Sequence, residues 1–133
     1  MSRRSVYVEG FGHRNPVPAA CRIDDLLCSG IVYGLDAATG KPAATLEQQC
    51  ALMFAHVRSI VEAGGGDVAD IVKINVWMTD RSHRDPLNAE WLRMFPDAMS
   101  RPARQVLQGT FSEGVLIWCD FSALIRSTGA GES

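Results

Sequence analysis

Between Asp70 and Thr79 the chain reads Asp-Ile-Val-Lys-Ile-Asn-Val-Trp-Met-Thr. Val72, Ile74, Val76 and Met78 fall on one side of an extended backbone, and Lys73, Asn75 and Trp77 on the other. This is a strand with one apolar face, and that face must be covered. The cover is written just upstream, where Leu46, Cys50, Met53, Val57, Ile60 and Val61 recur at helical spacing. Thr45 and Gln48 stand at capping-box spacing before this stripe, and Gly64-Gly65-Gly66 stops it. A stripe this broad lies against a flat partner, which means a sheet. The other side of the strand carries Trp77 beside polar groups, as expected of a face that meets another subunit.

The remaining segments complete the layer. Ser5 to Glu9 alternates as a short strand, followed by a Gly- and Pro-rich loop, 10–18, that carries Phe11, His13 and Arg14. Ala19 to Ile23 and Leu26 to Tyr33 form a hairpin across Asp24-Asp25, with Ser29-Gly30 interrupting the return strand. Residues 34–42 are a long turn. Asp85-Pro86 starts a second helix, with Asp85 expected at the N-cap and Leu87, Trp91, Met94 and Phe95 facing inward. Two strands, Gln105 to Thr110 and Val115 to Ile125, close the chain. The order β, ββ, α, β, α, ββ predicts an α+β fold, with two helices on one face of a mixed sheet and the other face buried by oligomerisation. One domain over residues 1–133 is expected, with 1–4 and 126–133 as frayed ends.

Composition excludes several classes. A net charge of −2 gives no electrostatic footprint for nucleic acid, and no apolar run reaches the roughly 20 residues that span a bilayer. A soluble, cytoplasmic protein is expected. Cys21, Cys28, Cys50 and Cys119 lie in apolar contexts without CxxC spacing and read as small buried hydrophobes. His13, His56 and His83 are dispersed, so no zinc pattern is present.

Two charged residues stand out. Arg104 follows a Pro-Ala turn at the mouth of a strand, with Val106 and Gln108 on its face. It is either a solvated rim residue or a cation whose planar fork matches a carboxylate. Asp120 interrupts the apolar run Ile117-Trp118-Cys119-Asp120-Phe121. It belongs either to a polar strand face shared with Trp118 and Ser122 or to a site, because a carboxylate buried without a partner is costly.

Several segments, in order, resemble the RidA (YjgF-type) enamine/imine deaminase family. They are Leu27-Cys28-Ser29-Gly30, Leu35-Asp36-Ala37-Ala38-Thr39-Gly40 and Ile60-Val61-Glu62-Ala63-Gly64-Gly65, then Asp70 to Asp80, Asn88-Ala89-Glu90-Trp91, Phe95-Pro96 and Arg101-Pro102-Ala103-Arg104. The resemblance implies a chorismate-mutase-like fold and a homotrimer with outward helices and sites in the clefts between subunits. It implies hydrolysis of 2-enamino or 2-imino acids to 2-oxo acids and ammonia, without metal or organic cofactor. On this likeness Arg104 clamps the substrate carboxylate, and Asp120 stands where relatives carry a water-orienting Glu. Ser29 and Gly30 match the segment whose backbone groups contact the substrate, Val17 replaces a site Tyr, and Val106 replaces a Cys. A more apolar pocket follows, with His13 and Arg14 as sources of new polar contacts. Some relatives bear names of ribonucleases or translation inhibitors, which the charge balance here does not favour. The alternatives are an aminomuconate-type deaminase of aromatic catabolism and a non-catalytic ligand-binding trimer. No nucleic-acid or membrane partner is expected.

Overall fold

The structure, a computed structural model, describes residues 2–126. Its strands are β1 (Arg4–Val6), β2 (Ala20–Ile23), β3 (Leu26–Ser29), β4 (Val32–Tyr33), β5 (Leu35–Asp36), β6 (Lys41–Pro42), β7 (Ile71–Met78), β8 (Ala103–Gln108) and β9 (Ile117–Leu124). Its helices are α1 (Leu46–Ala63) and α2 (Asp85–Met94). Seven strands form one mixed sheet in the order β1-β2-β3-β9-β7-β8, with β4 also pairing β9. Both helices bear on one face of it, giving the α+β arrangement expected.

β7 is the axis of the sheet. It pairs β9 antiparallel on one side and β8 parallel on the other. A parallel neighbour needs a crossover connection, and α2 lies within it. The last two strands, although consecutive in the chain, are therefore not neighbours in the sheet, because β7 lies between them. The apolar face of β7 holds Ile74, Val76 and Met78, all buried with Ile117, Cys119 and Phe121 of β9 against Met53, Val57 and Ile60 of α1. Each such side chain contributes about 1.5–3 kcal/mol by leaving water. The expected alternation fails at one end. The register shifts between Ile71 and Lys73, so Ile71 turns inward and Val72 is 55% exposed. A bulge adds a residue and inverts the parity before it.

The capping box of α1 forms as spelled. Thr45 accepts from the Gln48 amide, and the Gln48 side chain accepts from the Thr45 amide. The helix has no basic residue in its last turn. Arg22 and Arg4, paired across β1 and β2, instead both donate to the Gly64 carbonyl, at 2.6 and 3.1 Å. Two guanidinium groups thus sit at the negative end of the helix dipole. Arg4 belongs to a strand rather than to a frayed terminus, whereas residues 127–133 lie outside the described residues. α2 starts one residue earlier than expected, with Arg84 at the N-cap and no side-chain capping bond. Asp85 sits in the first turn, where the dipole favours a carboxylate. The return strand of the first hairpin is split into β3 and β4, and the long turn after it contains the small β5–β6 hairpin.

Among the described residues, one polar side chain is fully buried. Gln49 of α1 donates to the carbonyls of Ala43 and Gly114, at 2.8 and 2.7 Å, and accepts from the Leu116 amide at 2.9 Å. It ties the chain before α1 to the start of β9. Gly34 packs directly on it, and a Cβ there would stand 2.5 Å from the Gln49 Cα. Gln49→Leu strands three backbone groups in the interior and should lower unfolding stability by about 3 kcal/mol or more. Urea unfolding measures this, and an unchanged midpoint would mean those groups find other partners.

The cysteines divide. Cys50 and Cys119 are buried as expected, but Cys28 is exposed and Cys21 half-buried, opposite each other across β2 and β3. Burial, followed by the charges of Glu90 and Glu47, pushes the Cys50 thiol up to about 12, and burial raises Cys119 as well. At pH 8 alkylation should leave Cys50 and Cys119 unmodified until denaturant is added. Mass spectrometry of the peptides reads this directly.

Candidate functional site

β3 leaves the sheet at Ser29, which exposes a gap in the ladder to β9. Cys28 still pairs Ser122, and pairing resumes at Val32 with Cys119. Between them the Ser29 hydroxyl accepts from the Phe121 amide at 2.9 Å and donates to the Gly30 carbonyl at 2.8 Å. The Gly30 amide donates to the Ala19 carbonyl at 2.9 Å. The Ser29 side chain therefore replaces a missing ladder bond and holds the chain bowed outward at Gly30 and Ile31. The bow stands across from Asp120.

Asp120 points away from the helices. It lies in register with Asn75, whose Nδ2 donates to Asp120 Oδ1 at 2.9 Å. Aromatic rings flank this pair. Trp77 and Trp118 stack with planes 5° apart and centroids at 6.4 Å. Phe111 stacks on Trp118 at 4.8 Å, and Tyr33 meets Phe111 edge-on at 6.2 Å. Gly109 packs its bare backbone on both indoles, where a Cβ would stand 3.4 Å from each.

Arg104 emerges on the opposite face. It is in register with Ile74, the neighbour of Asn75, and consecutive residues of a strand point to opposite sides. Its guanidinium carbon lies 4.8 Å from the centroid of the Trp91 ring of α2. Burial, and then the charge of Arg84 at the start of α2, lower its pKa from the ordinary arginine value. Val106 follows on the same face, half-buried against the core. Arg104 and Asp120 are thus two strands apart, roughly 10 Å in the sheet direction, and on opposite faces. A single chain does not bring them together.

Among the described residues, two buried side-chain polar atoms lack a hydrogen-bond partner: Arg104 Nη1 and His13 Nε2. Such an atom costs about 1–3 kcal/mol unless something binds it, so both mark places of interest. Val17 lies on the same loop as His13 and is 48% exposed. Asn75, Trp91 and Arg84 also contribute. In sequence Asn75 shows only as the polar neighbour of Trp77, Trp91 reads as core, and Arg84 carries no signal until the fold sets it beside Arg104.

Elsewhere, a groove of about 560 Å³ runs between the β5–β6 hairpin and α1, lined by Asp36, Lys41 and Gln48 among others. It touches neither Arg104 nor Asp120. Among the described residues no cluster of three His, Cys, Asp or Glu side chains is placed to hold a metal ion, and no helix is long and apolar enough to cross a membrane.

Comparison with known proteins agrees with this architecture. A RutC family protein from Aquifex aeolicus (strain VF5) is 28% identical over 89 residues, which cover 67% of this chain and 71% of that protein. The crystal structure of the YjgF gene product from E. coli superposes with a TM-score of 0.83 at 23% identity, covering 92% of this chain and 99% of that one. RidA from the Antarctic bacterium Psychrobacter sp. PAMC 21119 gives 0.84 at 22% identity, with 92% and 99% covered. A probable translation initiation inhibitor from Rhodopseudomonas palustris gives 0.86 at 24% identity, with 93% and 98% covered. Residues 5–114 match the family described as Endoribonuclease L-PSP, and the chain belongs to this family, that of the RidA and YjgF proteins.

Proposed function

We propose that the protein is a hydrolytic deaminase of 2-enamino and 2-imino acids, acting as a homotrimer with its sites between subunits. The observation that carries this reading is Arg104, a partly desolvated guanidinium over Trp91 with a buried, unpaired Nη1. Such a group is suited to a small carboxylate, which it can engage through two parallel hydrogen bonds. Asp120, held by Asn75, supplies the base. In the proposed reaction Asp120 takes a proton from water as the oxygen adds to C2 of the imine, and passes that proton to the nitrogen. Collapse of the resulting amino alcohol expels ammonia and leaves a 2-oxo acid. Positioning and base assistance of about 10²–10⁴ suffice, because free imines already hydrolyse in water. Since Arg104 and Asp120 leave one sheet on opposite faces, the site needs a neighbouring copy to complete it.

A second reading has one observation in its favour. Arg84 stands close enough for its charge to press on Arg104. Two guanidinium groups at one place suit an enamine with two carboxylates, as in an aminomuconate-type deaminase.

The test generates imines in situ from a panel of amino acids, including acidic ones, with an amino-acid oxidase, and semicarbazide traps what survives. Accelerated decay is expected, with Arg104→Ala lowering kcat/KM by about a hundredfold or more. Arg104→Ala at full activity would sink the clamp. Arg84→Gln weakens only acidic substrates if the second reading is right. Co-refolding inactive Arg104→Ala and Asp120→Asn chains should restore about a quarter of the sites when the two residues come from different subunits, and none when they come from one.

A further inference from the structure

We infer that His13 binds the substrate, donating a hydrogen bond from Nε2 to the atom on C2, which is nitrogen in the imine and oxygen in the 2-oxo acid. The inference rests on the deaminase reading and adds a residue to its site. Its basis is placement. The two orphaned polar atoms are the proposed carboxylate clamp and this imidazole nitrogen. His13 Nε2 lies against the bowed segment, 3.9 Å from where a Cβ would stand on Gly30. Apart from Gly30 and its two chain neighbours, nothing comes closer than 3.9 Å to that point, and the other near atoms, the carbonyl oxygens of Ala19 and Pro18, are equally distant. Glycine thus leaves a small space, walled by the imidazole on one side and the bow on the other. The same bow faces Asp120 across the ladder, so a ligand whose C2 is near that carboxylate brings its C2 substituent toward His13.

The ring is held for this use. Phe11, itself buried, meets it edge-on at 5.2 Å with planes 84° apart. Phe11 is braced in turn by Tyr33 at 5.6 Å and His56 at 4.9 Å. His56 is not an equivalent candidate, since its Nε2 is already engaged with the Leu35 carbonyl at 2.7 Å. Burial lowers the pKa of His13, so the ring is neutral at pH 7 and can carry its one proton on Nε2. A neutral donor polarises the C2 substituent without adding a charge beside Arg104.

The experiment follows the imidazole resonances of the ¹⁵N-labelled full chain as pyruvate, a stable 2-oxo acid, is added, with His13 assigned by the His13→Phe variant. The expected result is a shift at His13 that disappears in Arg104→Ala. Pyruvate binding that depends on Arg104 but leaves His13 unmoved overturns this inference and spares the deaminase reading. Absence of any Arg104-dependent binding overturns both. In the imine assay His13→Phe should lower kcat by about tenfold with unchanged thermal stability, and His13→Gln, which keeps an N–H donor, should recover most of it. Full activity in His13→Phe also overturns the inference.

Discussion

The pairing of β7 with β9 and β8 decides most of what this chain can do. Once β7 occupies the middle of the sheet, its alternation assigns each residue on both neighbours to a face. Phe121 and Arg104 follow Ile74 toward the helices, while Asp120 follows Asn75 away from them. The helix-facing side becomes core through Ile74, Val76 and Met78. The other side gathers the carboxylate, its amide partner and the stacked indoles. A one-residue slip of β9 against β7 would place Asp120 under α1, where a carboxylate has no partner, so burial itself enforces the register.

Local rules were readable wherever the cause was local. The capping box of Thr45 and Gln48, the helical stripe through Ile60 and the alternation from Ile74 to Met78 all appear as spelled. What failed were features decided by distant partners. Val72 looks like an inward residue until β9 imposes a bulge. Gln49 carries no local signal, and only the return of Gly114 and Leu116 from far along the chain makes it a buried junction. Strand order was equally hidden. Consecutive strands are neighbours more often than not, and here the crossover carrying α2 put β8 outside β7.

The candidate site was legible as residue types and not as an arrangement. Arg104 and Asp120 stand out in sequence because charge interrupts an apolar pattern. Their separation on opposite faces follows from pairings that no single segment encodes. Ser29 illustrates a different gap. Its hydroxyl is spent on the Phe121 amide and the Gly30 carbonyl, bonds that only the long-range pairing of the sheet reveals. Its contribution is the shape of the bow. His13 is the converse: a loop residue with no pattern around it, made conspicuous only by a nitrogen that folding buries and leaves unpaired.

The stacked pair Trp77 and Trp118 gives the protein an optical property. Two indoles held nearly parallel, one from each central strand, have electronic transitions that couple, and the coupling depends steeply on their separation and mutual angle. Phe111 and Gly109 fix that geometry from the loop beside Asp120. The near-ultraviolet circular dichroism of this chain therefore carries a contribution from the face that holds the carboxylate. Any event on that face, whether assembly or occupation by a small molecule, is written into the absorption of polarised light without a label.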